Sequence, residues 1–468
     1  MTSLYYSLRK YLRYFLEALK GGEQDFTEGN LNKAIFLLSI PMIIEMSMES
    51  IFAVVDVFFV SKVSVNAVAT VGLTESVMMI VYSVAVGLSM AATATVARRI
   101  GEKNPQAASV AAVQAVILGL SFALVIGLAG AFYAREILQI MGGSPELIAE
   151  GYGYTRWIFL GNVSLMLIFL INAIFRGAGD ASIAMWALLL ANSINCVLDP
   201  LFIFGFGPIP AMGVEGAAIA TTTGRSIGVV FQVYHLFRGN SRIKITVRSL
   251  VVKWDILKNM VKVSIGGVGQ FLIESASWIF LMRVMSLFGE SALAGYTISF
   301  RVLVFTLMPS WGLANAAGTL VGQNLGALKP DRAETSVWRT ALINVIFLGI
   351  VGAVFLIFAE EVIAVFTPDE AVVSFGTQSL QIICLGYVFF AYGMVLIQAF
   401  NGAGDTKTPS VINIFVFWIF QIPFAYWLAV TMEWGPSGVF WAIAVAHSLL
   451  AIIGVIIFRR GRWKTVQV

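Results

Sequence analysis

Twelve stretches of this chain are each apolar over about the 20 residues that a helix needs to cross a bilayer. They cover 33–61, 66–97, 107–134, 150–175, 180–206, 213–237, 258–287, 292–322, 334–358, 374–400, 408–431 and 438–458. The connections between them carry stop signals such as Gly101-Glu102-Lys103-Asn104-Pro105 and Gly142-Gly143-Ser144-Pro145. This pattern predicts an all-α membrane protein with twelve transmembrane helices. Composition agrees, since 59% of the 468 residues are apolar and 12% are charged, against about 45–50% and about 25% in soluble domains. A soluble enzyme, a disordered chain and a nucleic-acid binder are excluded on that balance.

Charge placement gives an orientation. Most Lys and Arg residues fall in the two ends of the chain and in the even-numbered connections. The connection after the sixth stretch alone brings Arg238, Arg242, Lys244, Arg248 and Lys253, with Lys258 and Lys262 just beyond it. Connections after the ninth and eleventh stretches carry acids, Glu360, Glu361, Asp369 and Glu433. The positive-inside rule then predicts a plasma-membrane protein with both termini in the cytoplasm. Within residues 1–32, Leu4, Leu8, Tyr11, Leu12, Phe15, Leu16 and Leu19 recur at helical spacing beside Arg9, Lys10, Arg13 and Lys20. That reads as an amphipathic helix lying on the cytoplasmic lipid surface. Residues 459–468 form a basic tail. Cys196 and Cys384 sit in apolar runs and read as buried hydrophobes, and two histidines, His235 and His447, are too few for a histidine metal centre.

The chain also repeats itself. Shifted by 225 residues, Ser39-Ile40 falls on Ser264-Ile265, Glu49-Ser50 on Glu274-Ser275, Gly87-Leu88 on Gly312-Leu313, and Gly101 and Pro105 on Gly326 and Pro330. The same shift places Phe175-Arg176-Gly177-Ala178-Gly179-Asp180 on Phe400-Asn401-Gly402-Ala403-Gly404-Asp405. Each copy holds six spans, an even number, so both enter the membrane in the same sense. The expected fold is two parallel-repeat six-helix bundles, residues 33–237 and 258–458, joined by the linker 238–257 around a central cavity. Parallel repeats of this kind are an architecture of alternating-access transporters.

Ionisable groups at bilayer depth point to function. At about 100° per residue, Glu49 lies about 40° and Asp56 about 20° from Glu45, so the first span carries one acidic stripe. The fifth span adds Asn192, Asn195 and Asp199 on one face, followed by Pro200, whose missing N–H frees a carbonyl one turn back. The sixth span opens Gly213-Val-Glu-Gly216 and continues to Thr221-Thr222-Thr223. Carboxylate, amide and hydroxyl oxygens suit Na⁺ or a proton rather than a transition metal. For the Asn and Thr residues, helix-to-helix hydrogen bonding is the other reading. In the second half Glu274 is the mate of Glu49, Gln270 stands for Glu45 and Leu281 for Asp56, with Arg283 and Arg301 nearby. A carboxylate-rich cavity lined by Met46, Met48, Phe52, Trp278 and Tyr392 is expected to take an organic cation.

These features together resemble the MATE (multidrug and toxic compound extrusion) family. The resemblance rests on Val54-Val-Asp-Val-Phe-Phe-Val60, Arg98-Arg99-x-Gly101, Phe175-Arg-Gly-Ala-Gly-Asp180, Asn195-x-x-x-Asp199-Pro200, Gly213-x-x-Gly216-Ala-Ala and Asn401-Gly-Ala-Gly-Asp-Thr-Lys-Thr-Pro409. It implies export of amphipathic, often cationic, small organic compounds in exchange for Na⁺ or H⁺, with no other cofactor. It also implies a first-lobe cation site of Asp56, Asn195, Asp199 and Thr221, and marks Glu274 as the acid of the seventh span. Glu45, Glu49, Asn192, Gln270 and Tyr392 are added as substrate or proton-coupling candidates. The chain departs from the family pattern in two places. The tenth span has Gln378, Gln381, Tyr392 and Gln398 but no central Asp or Glu, and the first Gly-Ala-Gly-Asp continues Ala181-Ser-Ile-Ala184. A monomer is expected. The alternative function is a flippase for lipid-linked oligosaccharides. A membrane enzyme is disfavoured, since the chain has no His-Glu-x-x-His, Gly-x-Ser-x-Gly or phosphate loop.

Overall fold

The computed structural model describes residues 2–22, 24–238 and 241–468, apart from the side chains of residues 2–8, Tyr11 and Ala53. The helices in chain order are α1 Thr2–Lys20, α2 Leu31–Val60, α3 Val65–Gly101, α4 Pro105–Phe132, α5 Ala134–Ile140, α6 Pro145–Leu160, α7 Asn162–Ala178 and α8 Ala181–Phe204. They continue as α9 Gly213–Arg238, α10 Trp254–Met285, α11 Glu290–Gly326, α12 Pro330–Ala364, α13 Glu370–Leu385 and α14 Tyr387–Ala403. The last two are α15 Lys407–Thr431, which widens into π-helical turns at Ile414–Gln421 and Trp427–Thr431, and α16 Pro436–Arg459. Helices lie at all twelve predicted positions, with α6–α7 and α13–α14 each serving as one broken span. Nine helical segments among the described residues are long and apolar enough to cross a membrane, and the α13–α14 pair, bent by 59°, adds a tenth. The remaining two, α2 and α9, are 30 and 26 residues long and carry many of the site's polar groups. The protein is an integral, multi-pass membrane protein.

Each half builds its own apolar core. Leu88, Ile171 and Phe175 belong to the first, and Leu303, Phe390 and Phe440 to the second. The repeat seen in sequence extends to helix boundaries. Both α3 and α11 start and stop 225 residues apart, at Val65 and Glu290 and at Gly101 and Gly326. Backbone strain repeats too, since Lys103 (φ 56°) and Leu328 (φ 57°) are mates, as are Gly179 (φ 91°) and Gly404 (φ 87°). At those two glycines, the Gly-Ala-Gly-Asp sequence ends a helix. Gly179 N donates to Arg176 O and Asp180 N to Phe175 O, and Asp405 N does the same to Phe400 O, a left-handed stop that only glycine adopts without steric cost.

The halves meet across pairs of contacts that exchange under the repeat. A Cβ at Gly87 would lie 2.6 Å from Ser264 O, and Gly267 packs on the Gly87 backbone; the mate contact sets Gly312 against Met42 O. A Cβ on Gly101 would come within 1.9 Å of Gln323 O, and its mate, Gly326, sits on Arg98 O. Gly322 faces Ala97, its own mate. Reciprocal contacts with one self-contact are the mark of a two-fold axis, here a pseudo-axis passing between Ala97 and Gly322.

These crossings lie toward the face that carries both termini, and the chain ends reinforce it. Asp25 and Glu28 lie 3.6 Å and 3.4 Å from Lys103 Nζ, while Lys329 Nζ, from the other lobe, is 3.6 Å from Glu28 and donates to Thr27 O. Burial alone would raise the Asp25 carboxyl, but the Thr27 hydroxyl and amide and the Lys103 ammonium hold it below its ordinary value. The basic tail is docked rather than free. Trp463 is buried against Phe458, and Arg98 of the first lobe donates to Val466 O. Along α1, Leu12, Phe15 and Leu16 are exposed, as a lipid-facing surface requires. Leu4, Leu8 and Tyr11 lie outside the described side chains.

Gly101→Ala and Gly326→Ala are expected to lower stability by about 1–3 kcal/mol each, because the new methyl meets a fixed carbonyl. Gly349→Ala, where nothing lies within 4 Å, is expected to be neutral or slightly stabilising. Thermal unfolding of detergent-purified variants checks this, and equal midpoints for all three would refute the packing assignment.

Candidate functional site

Between the lobes lies a cavity of about 1150 Å³. Its lining runs from Thr319 and Gly402 near the closed face to Val57 and Phe366 near the opposite one. Helix α2 supplies Glu45, Met46, Glu49, Phe52 and Asp56 to its wall, which bears out the reading of one acidic stripe facing one space.

Asp56 is also the inner edge of a buried polar cluster. Its Oδ1 is 3.5 Å from the Thr221 hydroxyl of α9. Asn195 Nδ2 of α8 donates to Asp199 Oδ1 at 3.1 Å and to Thr221 Oγ1 at 3.3 Å. The glycines of α9 allow this approach. Gly216 lies against Phe202 O and Gly224 against Ala191 O, so α8 and α9 touch backbone to backbone beside the cluster. The structure thus brings together Asp56, Asn195, Asp199 and Thr221, the last chosen from three adjoining threonines. Among the four, Asp56 alone lines the cavity. Asp199 Oδ2 and Asn195 Oδ1 are buried with no donor in the protein. Leaving such oxygens unpaired costs about 1–3 kcal/mol each, so the cluster is chemically incomplete without a proton, a water or a cation. Its donors, two carboxylates, an amide and a hydroxyl, are hard oxygens, of the kind that suit Na⁺ or a proton rather than a transition metal.

Other candidates lie elsewhere. Asn192 shares the face of α8 but donates to Met48 O, tying α8 to α2. Gln270 is buried in a reciprocal amide pair with Asn401, at 3.0 Å and 3.2 Å, and also donates to Thr406 O. Glu274 and Tyr392 are half-buried and do not line the cavity. Met46 and Phe52 line it as expected, whereas Met48 and Trp278 do not, and Trp278 packs on Phe300 with ring centres 4.5 Å apart.

The expectation of a carboxylate-dominated cavity needs correction. Arg176, Arg225 and Arg301 line the same cavity as Glu45, Glu49, Asp56 and Glu75. Arg176 Nη1 meets Glu45 Oε1 at 2.6 Å, both nearly buried, and Arg225 Nη2 lies 4.0 Å from Glu49 Oε1. Arg225 also reaches the Tyr82 hydroxyl at 3.5 Å and sits over the Phe52 ring. Glu75, Arg176 and Arg225 are the functional candidates that the sequence reading passed over. The signal that selects Asp56, an ionisable group inside a predicted span, applies equally to Glu75 in 66–97 and Arg225 in 213–237.

Glu45→Gln, which strands the Arg176 guanidinium, is expected to lower stability by about 3–5 kcal/mol, and the double variant Glu45→Met/Arg176→Met to recover most of it. Thermal unfolding of the three variants reads this. A double variant no better than the single would show that the pair has other work than neutralising itself.

Comparison with known proteins completes the assignment. The MatE family model matches residues 41–201 and again 267–427, once in each half. The chain is 26% identical to the probable multidrug resistance protein NorM of Thermotoga maritima, over 93% of each chain. It is 22% identical to the multidrug export protein MepA of Staphylococcus aureus, covering 92% of this chain and 94% of that one. A solved structure described as the outward-facing conformation of a multidrug resistance MATE family transporter superposes with a TM-score of 0.88 at 28% identity, covering 94% of this chain and 98% of that one. A MOP superfamily transporter from Pyrococcus furiosus, whose binding pocket is described as reversed in polarity, superposes with a TM-score of 0.86 at 28% identity and the same coverage. With two matched repeats, a shared fold over nearly its whole length and a central cavity between the lobes, this chain belongs to the MatE family of membrane transporters.

Proposed function

We propose that the protein exports small amphipathic organic molecules that carry a cationic group, in exchange for Na⁺ or H⁺, by alternating access, from the cytoplasm across the plasma membrane. The carrying observation is the position of Asp56, which belongs both to the buried cluster with Thr221, Asn195 and Asp199 and to the cavity wall. An ion or proton arriving at the cluster satisfies Asp199 Oδ2 and Asn195 Oδ1 and changes the charge that Asp56 presents to a substrate. That gives the two ligands a shared group through which to oppose one another, as exchange demands.

The named relatives support the export reading, being called multidrug resistance and multidrug export proteins. Closure at the face carrying the termini fits an outward-open state, with that face cytoplasmic by the excess of Lys and Arg in its connections. The single chain contains the whole cavity, in keeping with a monomer.

A second reading, flipping of an anionic lipid-linked oligosaccharide, draws support from the three arginines in the cavity. Two of them are already engaged by Glu45 and Glu49, which leaves the cavity without the net positive charge such a headgroup calls for.

In proteoliposomes with Na⁺ and pH gradients imposed separately, wild-type protein is expected to move a lipophilic cation against one gradient. Asp56→Asn and Asp199→Asn are each expected to abolish that coupled flux while remaining folded in the membrane. Near wild-type coupled export by either variant overturns the exchange site. Flipping of a lipid-linked saccharide with no cation flux selects the second reading.

A further inference from the structure

The cavity presents four carboxylates and three guanidiniums, but most are spoken for within the protein. Glu45 is held by Arg176 at 2.6 Å, Glu49 lies 4.0 Å from Arg225, and Asp56 belongs to the cluster with Thr221 proposed above for the coupling ion. Two ionisable side chains remain outside these groups, Glu75 on α3 and Arg301 on α11. Both line the cavity and both are exposed to it. Among the described residues neither has an ion-pair or hydrogen-bond partner, and the charges of Arg225 and, more weakly, Arg301 both act on Glu75.

Their placement follows from the repeat. Arg301 is the mate of Ser76, the neighbour of Glu75, so the two charges stand on equivalent helices of opposite lobes. Measured from the pseudo-axis pair, Glu75 lies 22 residues before Ala97 and Arg301 lies 21 before Gly322 (75 to 97, 301 to 322). At about 1.5 Å per residue both sit about 32 Å along their helices from the closed crossing. One lobe thus offers a carboxylate and the other a guanidinium at matching positions along equivalent helices, between apolar walls such as Phe300 and Phe305.

A molecule with a single positive charge gains at Glu75 and meets repulsion from Arg301, and a single negative charge meets the reverse. Only a ligand carrying both gains at both lobes, and like-charge juxtaposition rejects the others. We propose that Glu75 and Arg301 are the specificity-determining contacts of the cavity, and that the preferred substrates are amphipathic zwitterions with a cationic and an anionic group on an apolar body. This rests on the export reading above and narrows its substrate class.

The test uses purified full-length protein and three probes built on one naphthalene fluorophore, bearing a trimethylammonium, a sulfonate, or both as a sulfobetaine. Wild type is expected to bind the sulfobetaine about tenfold more tightly than either singly charged probe. Glu75→Gln is expected to erase that preference and weaken the cation, and Arg301→Gln to erase it and weaken the anion. Glu75→Asp and Arg301→Lys, which keep the charges, retain most of it. The proposal is overturned if Arg301→Gln leaves sulfobetaine affinity unchanged, or if either Gln variant weakens all three probes alike. Sulfobetaine preference without flux of any probe in proteoliposomes sinks the export reading and leaves this one standing.

Discussion

Close backbone approach at a few glycines is the constraint on which the rest of this molecule depends. In a bilayer there is no general hydrophobic drive between helices, so association rests on packing that small residues permit. Gly87, Gly101, Gly312, Gly322 and Gly326 concentrate that packing on one face. Joining the lobes there and not along their whole length is what leaves a cavity between them. Because the contacts come in exchanged pairs about Ala97 and Gly322, the junction lies on the pseudo-axis itself. In the alternating access proposed above, it is the place where the lobes would pivot.

The low dielectric sets the second rule, that every charge at membrane depth must have a partner or water. This protein meets it in two ways. Arg176 and Arg225 are taken up by Glu45 and Glu49 along the wall of α2. Asp56, Glu75 and Arg301 instead face the cavity, where under the exchange proposed above a substrate or ion serves as partner. The Asp56 cluster differs from the Glu45 pair in having no ion-pair partner among the described residues. Asp199 Oδ2, Asn195 Oδ1 and Glu45 Oε2 all lack a donor, but the other oxygen of Glu45 holds a guanidinium at 2.6 Å.

How much of this was legible in the sequence depends on whether a feature is periodic or relational. Helix positions, the repeat and the face shared by Asn195 and Asp199 follow from period and spacing, and the structure shows each of them. The partner of a side chain does not follow from its phase. Asn192 sits on the expected face of α8 yet ends on Met48 O, because the α2 backbone comes within reach there before the cavity does. The cavity's charge balance was missed for a related reason. A search among the acids of α2 takes no account of the arginines on α7 and α9 that the fold brings opposite them. Nothing in the local sequence around Glu45 announces Arg176, which lies 131 positions away.

The repeat itself shows how the two lobes differ in charge at one matched contact. Glu45 and Arg176 form an ion pair, and their mates, Gln270 and Asn401, form an amide pair with the same helices in contact. The contact is shared, and both charges are present in one lobe and both absent from the other. A one-sided change would have stranded either a carboxylate or a guanidinium at depth, at several kcal/mol. The same lobe replaces Asp56, Asn195 and Asp199 with Leu281, Phe420 and Phe424, and Leu281 is fully buried in the apolar core. With no side-chain oxygens at the equivalent place, the cluster has no counterpart in the second lobe, and in the exchange proposed above the ion binds only in the first. The second lobe contributes Arg301 and the facing wall of the cavity, and the two halves of a duplicated chain differ in chemistry while sharing one axis.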